Sequence, residues 1–431
     1  MNRFIALCLT LGSATQSYAC EPSKVKTIFG NNIEMKHNPE WIEQLNQAIA
    51  QEDPALKKKL EDNCAALPLA KQFPALRIPH ISLCTLPTPV QKLENLSKEL
   101  GATVFIKRDD MTGGQSYGGN KPRKLALELA RALSHRANTV ITFGCAGSNH
   151  AVATSEHARN LGLEPICMLK PQANSQVVRK NLLLHLANGT ELHYAPNNDV
   201  RKVLTISTWV DVVNKGLRPY IIPTGGSTPL GTVGFVNAAC ELKEQIDAGL
   251  IPMPDYVYVP CGSCATTVGL TLGFKALNLP IKVIAIAVEP EEEQQEFKTT
   301  ITKLFKATNE LLNKVTNGTF PILQLKSEDI EINLNFTGPE YAVFTQEGIV
   351  ARELLKKTEA IMIDGTYTCK AFAALLADIK SKKSENKTVL FWNTYCGTEF
   401  QKRVASVNYK DLPACFHAYF EEDVQELDRV S

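Results

Sequence analysis

Charge of one sign is what these 431 residues lack most plainly: 46 Lys and Arg meet 45 Asp and Glu, for a formal net charge of +1. A basic footprint for nucleic acid is therefore absent, and a small molecule becomes the default partner. Past the N-terminus no uncharged apolar run approaches the roughly 20 residues that a membrane-spanning helix needs, so no span is expected in the mature protein. No internal repeat or low-complexity linker divides the chain. The twelve cysteines are scattered and lack the dense framework of small secreted domains, so most are expected to be buried thiols. At 44% hydrophobic and 21% charged, the chain has the composition of a globular protein of about two or three domains.

The one apolar run stands at the start. Asn2 and Arg3 give a short positive beginning, Phe4 to Gly12 an apolar centre, and Ser17-Tyr18-Ala19 small residues at alternate positions. This is the pattern of a secretory signal peptide over 1–19, and it implies a periplasmic or secreted protein. A buried first helix, with a cytoplasmic protein, is the alternative; lipid attachment at Cys20 is a weaker one. Residues 20–80 are mixed in charge and poor in strand character. They are expected to form helices packed outside the main body, with Lys57 to Lys59 a solvated face.

From residue 100 onward β-branched runs alternate with helical patterns, which argues for βα units and a mostly parallel sheet. Strands are predicted at 139–143, 165–169, 191–194, 256–259, 283–288, 360–363 and 389–392, and helices from about Ala151 to Gly162 and over 176–187. In open α/β sheets ligands collect beyond the carboxyl ends of the strands, so the loops there are where chemistry is sought.

Four such loops stand out. Gly118-Gly119-Asn120-Lys121-Pro122-Arg123-Lys124-Leu125 puts Lys121 at a helix start, since Pro122 suits a first turn; the positive end of the helix dipole favours loss of its proton and suits an amine that attacks a carbonyl. An ordinary exposed lysine is the plainer reading. Gly144-Cys145-Ala146-Gly147-Ser148-Asn149-His150 joins a strand to a helix whose free N–H groups can hold a carboxylate or phosphate, though a simple capped turn would look much the same. Pro260 to Gly269 is a third strand–loop–helix, in which Gly262, Ser263, Cys264, Ala265 and Thr266 can cradle one phosphate. It lacks the Lys-Ser/Thr ending of a P-loop and the spaced glycines of a dinucleotide fingerprint. Cys261 and Cys264 also admit zinc or redox readings, but no second pair completes a four-ligand set. The fourth loop, Ile363-Asp364-Gly365-Thr366-Tyr367-Thr368, offers a phenol and a hydroxyl, or a capping turn with a buried tyrosine.

In this order, from about Leu86 to Thr398, these loops resemble the D-cysteine desulfhydrase and 1-aminocyclopropane-1-carboxylate (ACC) deaminase family of pyridoxal-phosphate (PLP) enzymes, with Gly-Gly-Asn-Lys-x-Arg-Lys-Leu the most specific element. The resemblance implies an α/β protein of two open twisted sheets, the tryptophan-synthase-β-like fold type II. Its large cofactor-binding domain would span 81–134 and 226–431, with a small domain nested at 135–225. It implies that Lys121 carries PLP as a Schiff base, that Asn149 bonds the ring hydroxyl, and that Ser148, Asn149 and His150 cradle the substrate carboxylate. The phosphate would rest on Gly262 to Thr266, Thr368 would face the pyridine nitrogen, and Tyr341 and Tyr367 would be the two active-site tyrosines. Gly225 to Gly231 matches a further family segment, read as support for the domain junction.

ACC deaminases resemble the fourth loop but carry glutamate after the tyrosine, which keeps the ring nitrogen protonated. Thr368 is a neutral partner, compatible with β-elimination on a small D-amino acid: D-cysteine to pyruvate, ammonia and sulfide. The alternatives are ACC deaminase or a related dehydratase or racemase, and an amino-acid-binding protein without turnover. Similar enzymes are commonly dimers, so a homodimer is implied. Departures from the family pattern, including Gly365-Thr366 and Asn393-Thr394-Tyr395-Cys396-Gly397, point to an altered side-chain pocket.

Overall fold

The computed structural model describes residues 40–289 and 294–429; the signal-peptide segment, Cys20 and the chain up to residue 39 lie outside the described residues. Helices α1 (Glu40–Ala48), α2 (Pro54–Asp62) and α3 (Pro68–Gln72) lead to β1 (Val90–Lys92), α4 (Glu94–Leu100) and β2 (Thr103–Lys107). Next come α5 (Lys121–Ser134), β3 (Thr139–Cys145), α6 (Asn149–Asn160), β4 (Glu164–Lys170), α7 (Gln176–Ala187), β5 (Glu191–Tyr194), α8 (Asn198–Asn214) and β6 (Pro219–Ile222). The chain continues through α9 (Pro229–Asp247), β7 (Tyr256–Cys261), α10 (Ala265–Ala276), β8 (Lys282–Ala287), α11 (Gln294–Val315), β9 (Ile330–Asn333), α12 (Gln346–Glu359), α13 (Thr368–Lys380) and β10 (Thr388–Trp392).

Local chemistry explains these boundaries. Ser148, Ser175, Asn197, Thr228 and Thr345 each cap a helix by accepting the N–H three residues on. Gly162 and Gly189, both at positive φ, turn the chain out of α6 and α7. The strands β3, β7 and β8 are buried along nearly their whole length, as parallel strands covered by helices on both faces must be.

Two sheets result. A six-stranded sheet has the order β1-β2-β10-β7-β8-β9, parallel except for β1, and a four-stranded parallel sheet has the order β5-β4-β3-β6. The expected strand at 360–363 does not form. Ile361 and Ile363 are buried and Met362 is exposed, the alternation that suggested a strand, but β10 is already paired on both sides, with β2 and β7. The segment instead runs as an unpaired connector from Ala360, the left-handed C-cap of α12, into α13.

The helices before β1 are more than an outer layer. Leu69 and Leu76 are fully buried in a cluster with Val233, Val236 and Phe305, and Asn46 clamps edge strand β6 by donating to the Ile221 carbonyl (3.0 Å) and accepting from its N–H (2.8 Å). Lys58 and Lys59 are exposed.

Helix α9 is the central strut, and its small residues let it come close to its neighbours. A Cβ on Gly234 would lie 2.7 Å from the carbonyl carbon of Arg123, and one on Gly269 of α10 would lie 2.5 Å from the Phe235 Cβ. Two residues after Lys121, Arg123 is locked from below. It donates to Asp109 (2.7 and 2.9 Å) and to Glu241 (2.9 Å), while Lys107 donates to Glu241 (2.5 Å), Gln245 (2.7 Å) and the Thr88 carbonyl (2.7 Å). Trp392 Nε1 completes the set by donating to Asp109 at 2.8 Å. Two cations and two anions, all buried, thus bolt the start of α5 to β2, β10 and α9.

Candidate active site

The carboxyl ends of β3, β7 and β10 and the N-termini of α5, α6, α10 and α13 converge on Lys121. Its Nζ stands 5.9 Å from the centre of the Tyr367 ring. Burial lowers its pKa from 10.5 to about 8, against the opposing pull of the Asp364 carboxylate. An amine so placed is a usable nucleophile and base near neutral pH, as the sequence suggests, with desolvation as the main cause.

The loop after β7 is an anion cradle. Cys264 is the N-cap of α10 in a left-handed conformation (φ 67°) and makes no side-chain cap; the Ala265 N–H donates to the Ser263 carbonyl (2.9 Å), and the N–H groups of Thr266 and Thr267 stay available. Its thiol turns inward toward the Gly262 carbonyl (3.5 Å). Gly262 lies under Tyr367, where an added Cβ would meet the ring edge at 3.4 Å. Thr266 accepts from Asn120 Nδ2 (3.0 Å), which ties the cradle to the residue preceding Lys121. Ser263 accepts from Ser227 Oγ (2.7 Å) and packs on Gly225, while the buried Lys124 Nζ, its pKa pushed well down by burial, donates to the Gly225 carbonyl. Gly225 to Ser227 therefore belongs to the site rather than to the junction alone.

Opposite lies the start of α6. Ser148 Oγ accepts from the Ala151 N–H (3.2 Å), leaving the N–H groups of Asn149 and His150 directed outward at the helix start. Asn149 Oδ1 accepts from Tyr117 Oη (2.7 Å) and Asn181 Nδ2 (3.1 Å), which turns the Asn149 amide nitrogen outward as a donor. The His150 ring packs beside Gly226. It is buried against Thr142, whose hydroxyl donates to the Ile222 carbonyl (2.9 Å) and so accepts from Nε2–H (3.0 Å). Burial and the charges of Lys124 and Lys121 hold this imidazole neutral, so only the backbone of His150 can serve a carboxylate.

Tyr341 and Tyr367 meet edge to face, with ring centres 6.1 Å apart and their hydroxyls hydrogen-bonded to each other. Burial pushes both phenols above their ordinary pKa. Thr368 is fully buried; its hydroxyl donates to Asp364 Oδ1 (2.5 Å) and accepts from the Asp364 N–H (2.7 Å). Asp364 also accepts from the N–H groups of Thr366, Tyr367 and Thr368 at 2.9–3.1 Å. Thr368 is itself a neutral partner, and a carboxylate lies one hydrogen bond behind it.

Sequence reasoning assigned no role to Asp364, Lys124, Tyr117, Asn181 or Ser227. The hydroxyl after paired glycines in Gly225-Gly226-Ser227 and the aspartate just before a helix start were readable signals for two of them. Tyr117 and Asn181 reach Asn149 only through folding. The ten cysteines among the described residues are free thiols, seven of them buried, and no group of three or more His, Cys, Asp or Glu suited to a metal occurs among those residues.

An uncapped helix start for a phosphate, an amine of depressed pKa for an aldehyde and an oriented amide for a ring hydroxyl fit pyridoxal phosphate. The fold and this donor set define a PLP-dependent α/β enzyme. Residues 81–394 match the family described as pyridoxal-phosphate dependent enzyme, and the chain belongs to it. Among its relatives, a putative ACC deaminase of Pyrococcus furiosus is 34% identical over 320 residues, 74% of this chain and 92% of that protein. A D-cysteine desulfhydrase of Yersinia pseudotuberculosis is 34% identical over 330 residues, 75% of this chain and 95% of that protein. A crystal structure of an ACC deaminase homologue superposes with a TM-score of 0.63 at 30% identity, covering 76% of this chain and 96% of its own.

Proposed function

We propose that this protein eliminates the β-substituent of a small D-amino acid, converting D-cysteine to pyruvate, ammonia and sulfide. The observation that carries the reading is the division of proton chemistry between one amine and two phenols. Lys121, with its pKa near 8, is the group able to take the proton from Cα. Tyr341 and Tyr367, raised by burial, stay protonated, so their coupled hydroxyls act as donors toward a departing sulfur. The N–H groups of Asn149 and His150, with Ser148 shaping the turn, orient the substrate carboxylate. Lys121 would hold PLP covalently, Asn149 its ring hydroxyl, Gly262 to Thr266 its phosphate and Thr368 its ring nitrogen. When bound, PLP supplies the sink for the electron pair left at Cα.

One observation favours the deaminase reading. Asp364 places negative charge one hydrogen bond behind Thr368, which favours a protonated ring nitrogen, the condition expected of ACC deaminases. A substrate panel separates the two. D-cysteine should yield pyruvate and sulfide, with little from L-cysteine, D-serine or ACC. A 2-oxo acid from ACC alone would replace the lyase by the deaminase, and binding without turnover would leave a binding protein. The reading extends to an exported homodimer, tested by cell fractionation and by light scattering of the holoenzyme.

A further inference from the structure

We propose that Lys180, braced by Tyr395, sets the specificity of this site by receiving a negatively charged substituent on the side chain of the amino-acid substrate. This rests on the function proposed above and names the substrate class admitted: amino acids whose β-carbon bears an acidic group, a thiolate or a carboxylate.

Lys180 lies on α7 next to Asn181, whose amide donates to Asn149 Oδ1 and, at 2.9 Å, to the Gly147 carbonyl, so it borders the wall that holds the substrate carboxylate. Its Nζ donates to Tyr395 Oη (3.3 Å) and stands 5.3 Å from the centre of that ring. Tyr395 follows β10 on a loop packed against the approach to Lys121. Asn120 N–H donates to the Thr394 carbonyl (3.2 Å), and a Cβ on Gly119 would lie 2.9 Å from the Tyr395 carbonyl oxygen. The Asp364 carboxylate favours the charged form of both Lys121 and Lys180.

The buried Lys107 has Glu241 beside it at 2.5 Å, whereas among the described residues Lys180 has no carboxylate in ion-pair contact. Although burial disfavours its charge, Tyr395 holds the Lys180 pKa above its ordinary value, so the group stands as a fixed positive charge that no contacting carboxylate neutralises and that an anionic ligand can meet. Both side chains remain partly accessible, as a pocket wall must be. Tyr395 is also one of the positions where the chain departs from the family pattern.

The test is a titration of the holoenzyme's visible absorption with D-aspartate, D-asparagine and D-alanine, none of which carries a leaving group. D-aspartate should bind at least about tenfold more tightly than D-asparagine, the size expected of one charge-assisted hydrogen bond. This ratio should fall to near one in Lys180→Met and recover in part in Lys180→Arg. A ratio near one in the wild-type enzyme that still binds D-alanine overturns this inference alone. Equal weakening of all three ligands in Lys180→Met also overturns it, by making the residue a general carboxylate anchor or a structural one. No spectral response to any D- or L-amino acid overturns the proposed function and this inference with it.

Discussion

Lys121 sits at a helix start inside a desolvated cleft, and both surroundings disfavour its charge while Asp364 favours it. Unfolding restores the ordinary pKa of 10.5, so the unfolded chain binds more protons between about pH 8 and 10.5, and stability rises with pH across that window. Lys121→Met should therefore raise the melting temperature of the cofactor-free protein at pH 7, with the advantage shrinking toward pH 10; a pH-independent difference would contradict this origin. The neutral amine captures an aldehyde, so the rate of PLP uptake should climb through pH 8 and level off above it, read by stopped-flow absorbance. In Lys121→Ala the visible band should vanish and turnover fall by on the order of 10²–10⁴-fold, the usual worth of a positioned base.

At the scale of elements, the site is a set of helix N-termini, and what does or does not cap each one decides its use. Ser148 caps α6 and Asp364 caps α13, whereas Cys264 bends into the left-handed region and leaves the start of α10 open for an anion. Asp364→Asn keeps a carbonyl acceptor but loses the second carboxylate oxygen and the charge at the start of α13. It should cost about 1–2 kcal/mol in denaturant unfolding and weaken the link behind Thr368. Helix contact sets the remaining geometry. Gly234→Ala would drive a methyl group into the backbone of Arg123, two residues from Lys121, and should destabilise by about 1–3 kcal/mol while lowering PLP affinity, measured by equilibrium dialysis.

Across the whole molecule, the buried network of Lys107, Arg123, Asp109 and Glu241 joins β2 and α9 to the helix that carries Lys121. Burial alone would raise the Glu241 pKa, but Arg123 and Lys107 bring it down to about 2. Its stabilisation is therefore complete above about pH 4.5 and lost as pH falls toward 2. Arg123→Met leaves Asp109 without a cation and Glu241 with Lys107 alone, and should cost about 3–5 kcal/mol by chemical denaturation, with an earlier onset of acid unfolding. The C-terminal segment makes a second long-range tie: Gln425 accepts from the Phe344 N–H (2.7 Å), donates to the carbonyl of Ala342 beside Tyr341 (3.1 Å), and donates to that of Asn174 (3.3 Å). Gln425→Ala should loosen the Tyr341 loop and lower kcat by several-fold with little change in melting temperature.

Local chemistry wrote much of this protein into its sequence. Helix caps, glycine terminators and unbroken apolar strands made the βα series readable, because each depends on neighbours within a few residues, and the helix-start placement of Lys121 and the small-residue loop at 262–266 follow from the same rules. Period-two alternation misled at 360–363, because pairing requires a free strand edge and folding had already filled both sides of β10. Only the tertiary structure decided that Asn46 closes a sheet edge 175 residues distant, that Tyr117 and Asn181 reach Asn149, and that Lys180 meets Tyr395. These are contacts between segments far apart in the chain, made by packing and burial, and no local pattern encodes a partner that arrives from elsewhere.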